Sequence, residues 1–311
     1  MLLALGNKDL NELNKINLDI LKVSKKFTTV EIANAVMTKF KPEKNFLNSV
    51  SKYEATVGTL KSASQVNKWC SIKTRGKIRE IIKDIDPLTK MILLNAIYFK
   101  GEWLEEFNEK DTIKKPFYNL NDQSKVVQID KMIKTDYSNY YYDNEIQMVE
   151  LPYKKDSMSA IILLPKEKIN INNYISNLND EKLQQTFKRM RNVKVHLELP
   201  KFELEFSSSL KSTLQKLGML QPFNKSTADF SEMKKEKDIY IDEVIQKTYL
   251  KVDEKGTEAA AVSEVNSCVF SFREEKIEKI IINRPFLFLL RNEKLPKNYE
   301  MMFMAKIETL K

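Results

Sequence analysis

Side chains able to do chemistry are scarce in this sequence, and their spacing rules out most enzyme classes. The single imidazole is His196, inside the alternating run Val195-His196-Leu197-Glu198-Leu199. An HExxH metal site needs two histidines on one helix face, and Ser–His or Cys–His catalysis needs a base poised beside a nucleophile. His196 has no second histidine to share such work, and its setting reads as a structural strand residue. Cys70 and Cys268 are far apart and make neither a CxxC pair nor a zinc spacing, so they read as two free thiols. The six glycines (Gly6, Gly58, Gly76, Gly101, Gly218 and Gly256) are each isolated. A phosphate cradle needs glycines close together so that bare N–H groups can reach the phosphates, and a GxSxG elbow needs two around one serine. Ser-x-x-Lys occurs at Ser49, Ser208 and Ser231 without the companion motifs of that chemistry. The expectation is therefore no catalytic residues, no metal and no cofactor.

The most unusual stretch is Val252-Asp253-Glu254-Lys255-Gly256-Thr257-Glu258-Ala259-Ala260-Ala261-Val262-Ser263. Its alanine run suits a helix, yet it follows the β-rich Ile245–Val252. Read with period two, Thr257, Ala259, Ala261, Ser263, Val265, Ser267 and Val269 share one face, small to apolar. Glu258, Glu264 and Asn266 lie on the other. Such a segment can enter a sheet, its small side chains passing over a packed core.

The elements around it are mixed. The 311 residues, 42% hydrophobic and 31% charged, make an ordinary globular composition with ample length for a core. Leu10, Leu13, Ile16, Ile20 and Leu21 recur at helical spacing, Thr29–Val36 alternates as a strand, and a mixed helical region runs on to about Asp84. Met91–Phe99 is almost continuously apolar, the pattern of a strand covered on both faces. Strand patterns recur at Val126–Ile129, Tyr137–Tyr142, Met148–Leu151 and Ser159–Leu164, and Ser207–Leu217 reads as a helix with serine caps and Gly218 behind. Many strands without regular βα alternation indicate an α+β body, and the lack of linkers indicates one domain over residues 1–311. The net charge of +9 is spread out, with denser runs at Lys73–Lys83 and at Lys188, Arg189, Arg191 and Lys194. Either run is a solvated helix face or a contact for a polyanion such as heparin. No apolar run is long enough to span a bilayer, and no signal peptide is expected, which leaves a cytoplasmic or an extracellular location open.

The run Glu254–Ala261 resembles the hinge of inhibitory serpins. Leu94-Asn95-Ala96-Ile97-Tyr98-Phe99-Lys100-Gly101-Glu102-Trp103 is similar to that family's central strand. Leu151-Pro152-Tyr153, Leu199-Pro200-Lys201-Phe202, Leu217-Gly218 with Ala228-Asp229-Phe230, and Arg284-Pro285-Phe286-Leu287-Phe288 follow in family order. The resemblance implies three β-sheets surrounded by helices, with an exposed reactive loop from Glu254 to about Ile282. It also implies a suicide-substrate inhibitor of serine proteases. The target cleaves the loop, forms an acyl-enzyme, and is trapped as the hinge inserts into the main sheet. Gly256 then lets the backbone swing, within a hinge of Glu254, Gly256, Thr257, Glu258, Ala259, Ala260, Ala261, Val262 and Ser263. Family spacing places the scissile bond at Phe270–Ser271, which suits a chymotrypsin-like or cathepsin-like protease. Cleavage after Phe272 or Arg273 stays open, and Arg273 would suit trypsin-like enzymes. Asn95 matches the shutter asparagine and Gln246 stands where the family often has a histidine. Trp103 matches the tryptophan at the top of the sheet, where Lys201 and Glu254 are matched to a salt bridge. A non-inhibitory binding or chaperone role is the alternative. Met1–Gly6 resembles the end of the family's second helix. The first helix and most of the second are thus expected to be missing, with a partner, oligomer or rearrangement covering the surface they leave.

Overall fold

A computed structural model describes residues 9–26, 30–99, 101–120, 126–154, 157–257 and 276–311. Two compact units divide the chain: Met1–Phe99 with Glu203–Leu250, and Lys100–Phe202 with Lys251–Lys311. Met1–Gly6 lies outside the described residues.

In chain order the first unit begins with α1 (Leu10–Lys26), β1 (Val30–Thr38), α2 (Lys44–Ser51), β2 (Thr56–Thr59), α3 (Ala63–Lys73) and β3 (Met91–Phe99). The second unit follows with β4 (Gly101–Glu102), β5 (Ile113–Tyr118), β6 (Val126–Tyr142), β7 (Ile146–Pro152) and β8 (Met158–Pro165). It continues with α4 (Ile171–Ser176), α5 (Asp180–Arg189) and β9 (Arg191–Pro200). The chain then returns through β10 (Phe202–Ser209), α6 (Lys211–Lys216) and β11 (Glu243–Val252), and ends with β12 (Gly256–Thr257), β13 (Glu278–Ile281), β14 (Phe286–Asn292) and β15 (Met301–Ile307).

The first unit is a five-stranded sheet in the order β10-β11-β3-β1-β2. Strand β3 alternates: Leu94, Ala96 and Tyr98 are fully buried, while Leu93, Asn95 and Ile97 are half-buried. The apolar run is thus sealed on one face only, a correction to the expectation of full cover. The sealed face packs Ala33, Ala35, Met37, Ile245 and Tyr249 against Val66, Cys70 and Ile78 from α3 and the segment after it. The alanines let that layer approach closely. Ser62 caps α3 by accepting from Gln65 N, and Asn67 Oδ1 then holds the backbone of Ile81 and Ile82 at 2.9 and 3.1 Å. Cys70 is buried and free, and burial pushes its thiol up to about 11, so it stays protonated at neutral pH.

Three sequence expectations need correction. Val126–Tyr142 is one long strand, not two. The helix expected over Ser207–Leu217 is only Lys211–Lys216, because Ser207–Ser209 continue β10. Ser209 Oγ donates to Glu243 Oε1 at 2.6 Å and Leu210 N donates to Val244 O at 2.7 Å, so these residues bond towards β11 instead of capping a helix. The loop ends earlier than Ile282, since β13 already pairs in parallel with β9 from Glu278.

The second unit holds a larger sheet in the order β13-β9-β6-β7-β8-β14-β15, with β5 on β6. Strand β8 is buried along its whole length, and Ile146, Met148, Ile161, Leu163, Leu287 and Leu289 pack under α4 and α5. A charged cluster sits inside this sheet. Lys131 on β6 is 1% exposed, with Nζ 4.0 Å from Glu198 Oε2 on β9, and Lys115 on β5 pairs with the same carboxylate. His196 lies beside it, Nδ1 at 2.9 Å from Thr135 Oγ1, in strand β9. Burial pushes the Lys131 amine down to about 8, with Lys115 acting in the same direction and Glu198 against it. Below pH 8 the buried amine is charged and its desolvation weakens the fold; the penalty lifts as pH rises from 8 towards the ordinary 10.5. Lys131→Met leaves Glu198 its Lys115 partner, so the variant is expected to be about 1 kcal/mol more stable at pH 7. That advantage should shrink by pH 10 in urea unfolding. A variant that unfolds more easily than wild type at pH 7 would contradict this.

Candidate functional site

Two arrangements bring together the residues singled out in the sequence. The first is the seam between β3 and β11, which are parallel neighbours from Glu243↔Ile92 to Leu250↔Phe99. They pair directly, so no strand separates them. Register sets Asn34 of β1, Asn95 of β3 and Gln246 of β11 in one row. Gln246 Nε2 donates to Asn95 Oδ1 at 3.1 Å, and Asn95 Nδ2 donates to Asn34 Oδ1 at 2.9 Å. A polar ladder thus crosses three strands on the half-buried face. On the other face Tyr98 and Tyr249 meet across the same seam, ring centroids 5.9 Å apart.

The second arrangement is the turn after β11. Asp253 and Gly256 exchange backbone hydrogen bonds, Asp253 N to Gly256 O at 2.8 Å and Gly256 N to Asp253 O at 3.1 Å. The chain then reverses so that Gly256 pairs with Glu102 and Thr257 with Gly101. Gly256 has φ +139°, and a Cβ there would lie 2.0 Å from Gly101 O. Only glycine fits. Segment 103–107 satisfies the turn's carbonyls: Trp103 Nε1 donates to Asp253 O at 2.9 Å, Phe107 N to Glu254 O at 2.8 Å and Trp103 N to Lys255 O at 3.0 Å. Trp103 is itself buried, stacked on Tyr153 at 4.5 Å with the edge of Phe107 at 6.4 Å.

Glu254 points into this structure, 6% exposed. Its carboxylate accepts from Thr112 Oγ1 at 2.6 Å and pairs with Lys201 Nζ at 2.9 Å. Burial alone would raise its pKa, but the bonds from Thr112 and Lys201 outweigh it and hold the group below the usual glutamate value. A carboxylate lowered on folding stabilises above its unfolded pKa of 4.5, and that contribution is lost as pH falls through the folded value. Lys201→Met is therefore expected to cost about 2 kcal/mol at pH 7 and much less at pH 3, read from urea midpoints. Equal losses at both values would deny the link its charge.

The family model for serpins (serine protease inhibitor) matches residues 2–309. The chain is a serpin. Among known relatives, the leukocyte elastase inhibitor of Xenopus laevis is 39% identical over 80% of this chain and 69% of its own length. That of Xenopus tropicalis is 36% identical over 92% of this chain and 79% of its own. Solved serpins superpose closely. Native tengpin, a thermophilic serpin, gives a TM-score of 0.85 at 28% identity, covering 97% of this chain and 80% of its own. Native protease nexin-1 with heparin gives 0.86 at 27%, covering 99% and 85%.

In this serpin, Asn95 and Gln246 share the seam, while Trp103, Lys201, Glu254, Gly256 and Thr257 gather at the turn. Glu258, Ala259, Ala260, Ala261, Val262 and Ser263 lie outside the described residues, as do Phe270, Ser271, Phe272 and Arg273. Sequence reasoning missed Asn34, Thr112 and Phe107. Asn34 could have been found as the one polar residue in Ile32-Ala33-Asn34-Ala35-Val36, whereas nothing local marks Thr112 or Phe107. Among the described residues no group of His, Cys, Asp and Glu could hold a metal ion, and no helix is long and apolar enough to cross a membrane.

Proposed function

We propose that this serpin inhibits serine proteases as a suicide substrate, working as one domain. The protease's nucleophile attacks the carbonyl carbon of Phe270, the bond to Ser271 breaks, and an acyl-enzyme forms on Phe270. The hinge from Gly256 through Ser263 then enters the main sheet between β3 and β11. The observation that carries this reading is the directly paired, parallel β3–β11 seam. Strand β11 runs on in sequence into the hinge. A segment folding back along β11 is antiparallel to β11 and β3 alike, so two antiparallel pairings replace one parallel pairing. Thr257, Ala259, Ala261 and Ser263 are small enough to be buried on the way. The ladder of Asn34, Asn95 and Gln246 must part for this to happen, and the bonds of Trp103, Lys201 and Glu254 hold the turn from which the hinge departs.

Phe270 in the bait favours a chymotrypsin-like or cathepsin-like target with a deep apolar pocket, while the relatives named leukocyte elastase inhibitors support a protease target without choosing its pocket. Mass spectrometry of the fragment released by such a protease tests the bond. A fragment beginning at Ser271 supports it; one beginning at Glu274 moves the site to Arg273 and the target to trypsin-like enzymes. A polyanion is a second proposed partner. One structural neighbour was solved with heparin, and Lys73, Arg79 and Lys83 are exposed here. Heparin retention that survives charge reversal of these three residues would exclude them as the contact.

A further inference from the structure

The second basic run joins residues far away in sequence to form a groove of about 600 Å³ in the second unit. Tyr140, Tyr141 and Tyr142 at the end of β6 line it, together with Lys188, Arg189 and Arg191 from α5 and the start of β9. Tyr140 and Tyr142 stack with centroids 5.9 Å apart, and the Arg189 guanidinium lies 5.9 Å from the centre of Tyr141. Glu278, the acidic residue in the lining, is already paired with Lys276 at 2.6 Å. Lys188 and Arg191 have no ion pair among the described residues. Lys188 and Arg189 complement the C-terminus of α5, a structural use of positive charge. Arg191 belongs to β9 and has no such use; of the three tyrosines, Tyr140 is buried and Tyr141 packs against the core, while Tyr142 is exposed beside the cations, where a large aromatic surface is free to meet a partner.

The groove also adjoins the far end of the loop. Lys276 sits over Tyr142 at 6.0 Å, and it follows Phe270 by six residues, within about 20 Å by chain length alone. A protease domain of some 220 residues has a radius of gyration of about 17 Å. An enzyme seated on the bait is therefore large enough to reach the groove. We propose that the groove is a docking site for an acidic surface segment of the target protease, with carboxylates on Lys188, Arg189 and Arg191 and an apolar side chain against Tyr142. This rests on the inhibitory reading above.

The test uses the full chain with the anionic and the cationic forms of chymotrypsin, measuring the second-order rate of covalent complex formation. Reversing charge with Arg189→Glu and Arg191→Glu together is expected to slow the anionic form about tenfold at low ionic strength, with the loss fading in 0.5 M salt. The cationic form should change less than twofold, and the stoichiometry of inhibition should stay put for both. Lys73→Glu with Arg79→Glu, on the other basic run, should leave both rates alone. Wild-type complexes whose rates ignore the groove variant, or fall equally for both enzymes, overturn the docking site alone. Loss of heparin retention with unchanged rates also overturns it, and assigns the groove to a sulfated glycan. If wild type forms no complex with either enzyme, the inhibitory reading fails and takes this inference with it.

Discussion

Thr257→Arg is expected to convert the inhibitor into a substrate. Thr257 pairs with Gly101 in the short β12–β4 ladder, and period two places it on the small-residue face with Ala259 and Ala261. In the proposed insertion that face turns towards the core, so the variant must bury an unpaired guanidinium, at a cost of several kcal/mol. In the proposed mechanism, trapping is a race between insertion and hydrolysis of the acyl-enzyme. Each 1.36 kcal/mol added to the insertion barrier slows it about tenfold. The variant should therefore be cleaved at the wild-type rate while its stoichiometry of inhibition rises more than tenfold. An unchanged yield of trapped protease would show that this face is never buried.

Gly256→Ala is expected to have the largest effect on stability of any single methyl group added to the turn. The new Cβ meets Gly101 O, Glu102 Cα and Trp103 N at 2.0, 2.7 and 2.8 Å, all backbone atoms of the strand and the segment that hold the turn. None can move as the end of a side chain can. The residue is also held at φ +139°, where L-residues pay about 1–3 kcal/mol in strain. With the clash, the loss should reach at least about 3 kcal/mol in urea unfolding. The amides of Gly256 and Trp103, bonded across this turn, should lose hydrogen-exchange protection with it. Wild-type stability in this variant would contradict the turn geometry.

Much of this architecture is legible in the amino-acid sequence itself. The bounds of β3 can be read from the apolar run Met91–Phe99, although only the face of Ile92, Leu94, Ala96 and Tyr98 is sealed. The run after Gly256 stands out for its small residues at period two, but its reading as a hinge comes from resemblance and belongs to the proposed function. The pairing of Lys201 with Glu254 follows from resemblance, not spacing, since the two lie far apart in the chain and neither carries a local sign of the other. What is illegible depends on partners fixed only by folding. Ser207–Ser209 read equally well as helix caps or strand, and the bonds towards β11 decide it. Lys131 looks like any surface lysine in Asp130-Lys131-Met132, yet register opposite β9 and β5 puts it inside the sheet. Thr112 and Phe107 matter only because the chain returns to them at Glu254, 142 residues after Thr112.

Incubation with chymotrypsin, followed on a denaturing gel, tests the central claim most directly. The account predicts a covalent serpin–protease band that resists boiling, together with a released fragment beginning at Ser271. Complete cleavage of the loop with no such band, under conditions where the uncleaved protein is folded, would contradict it.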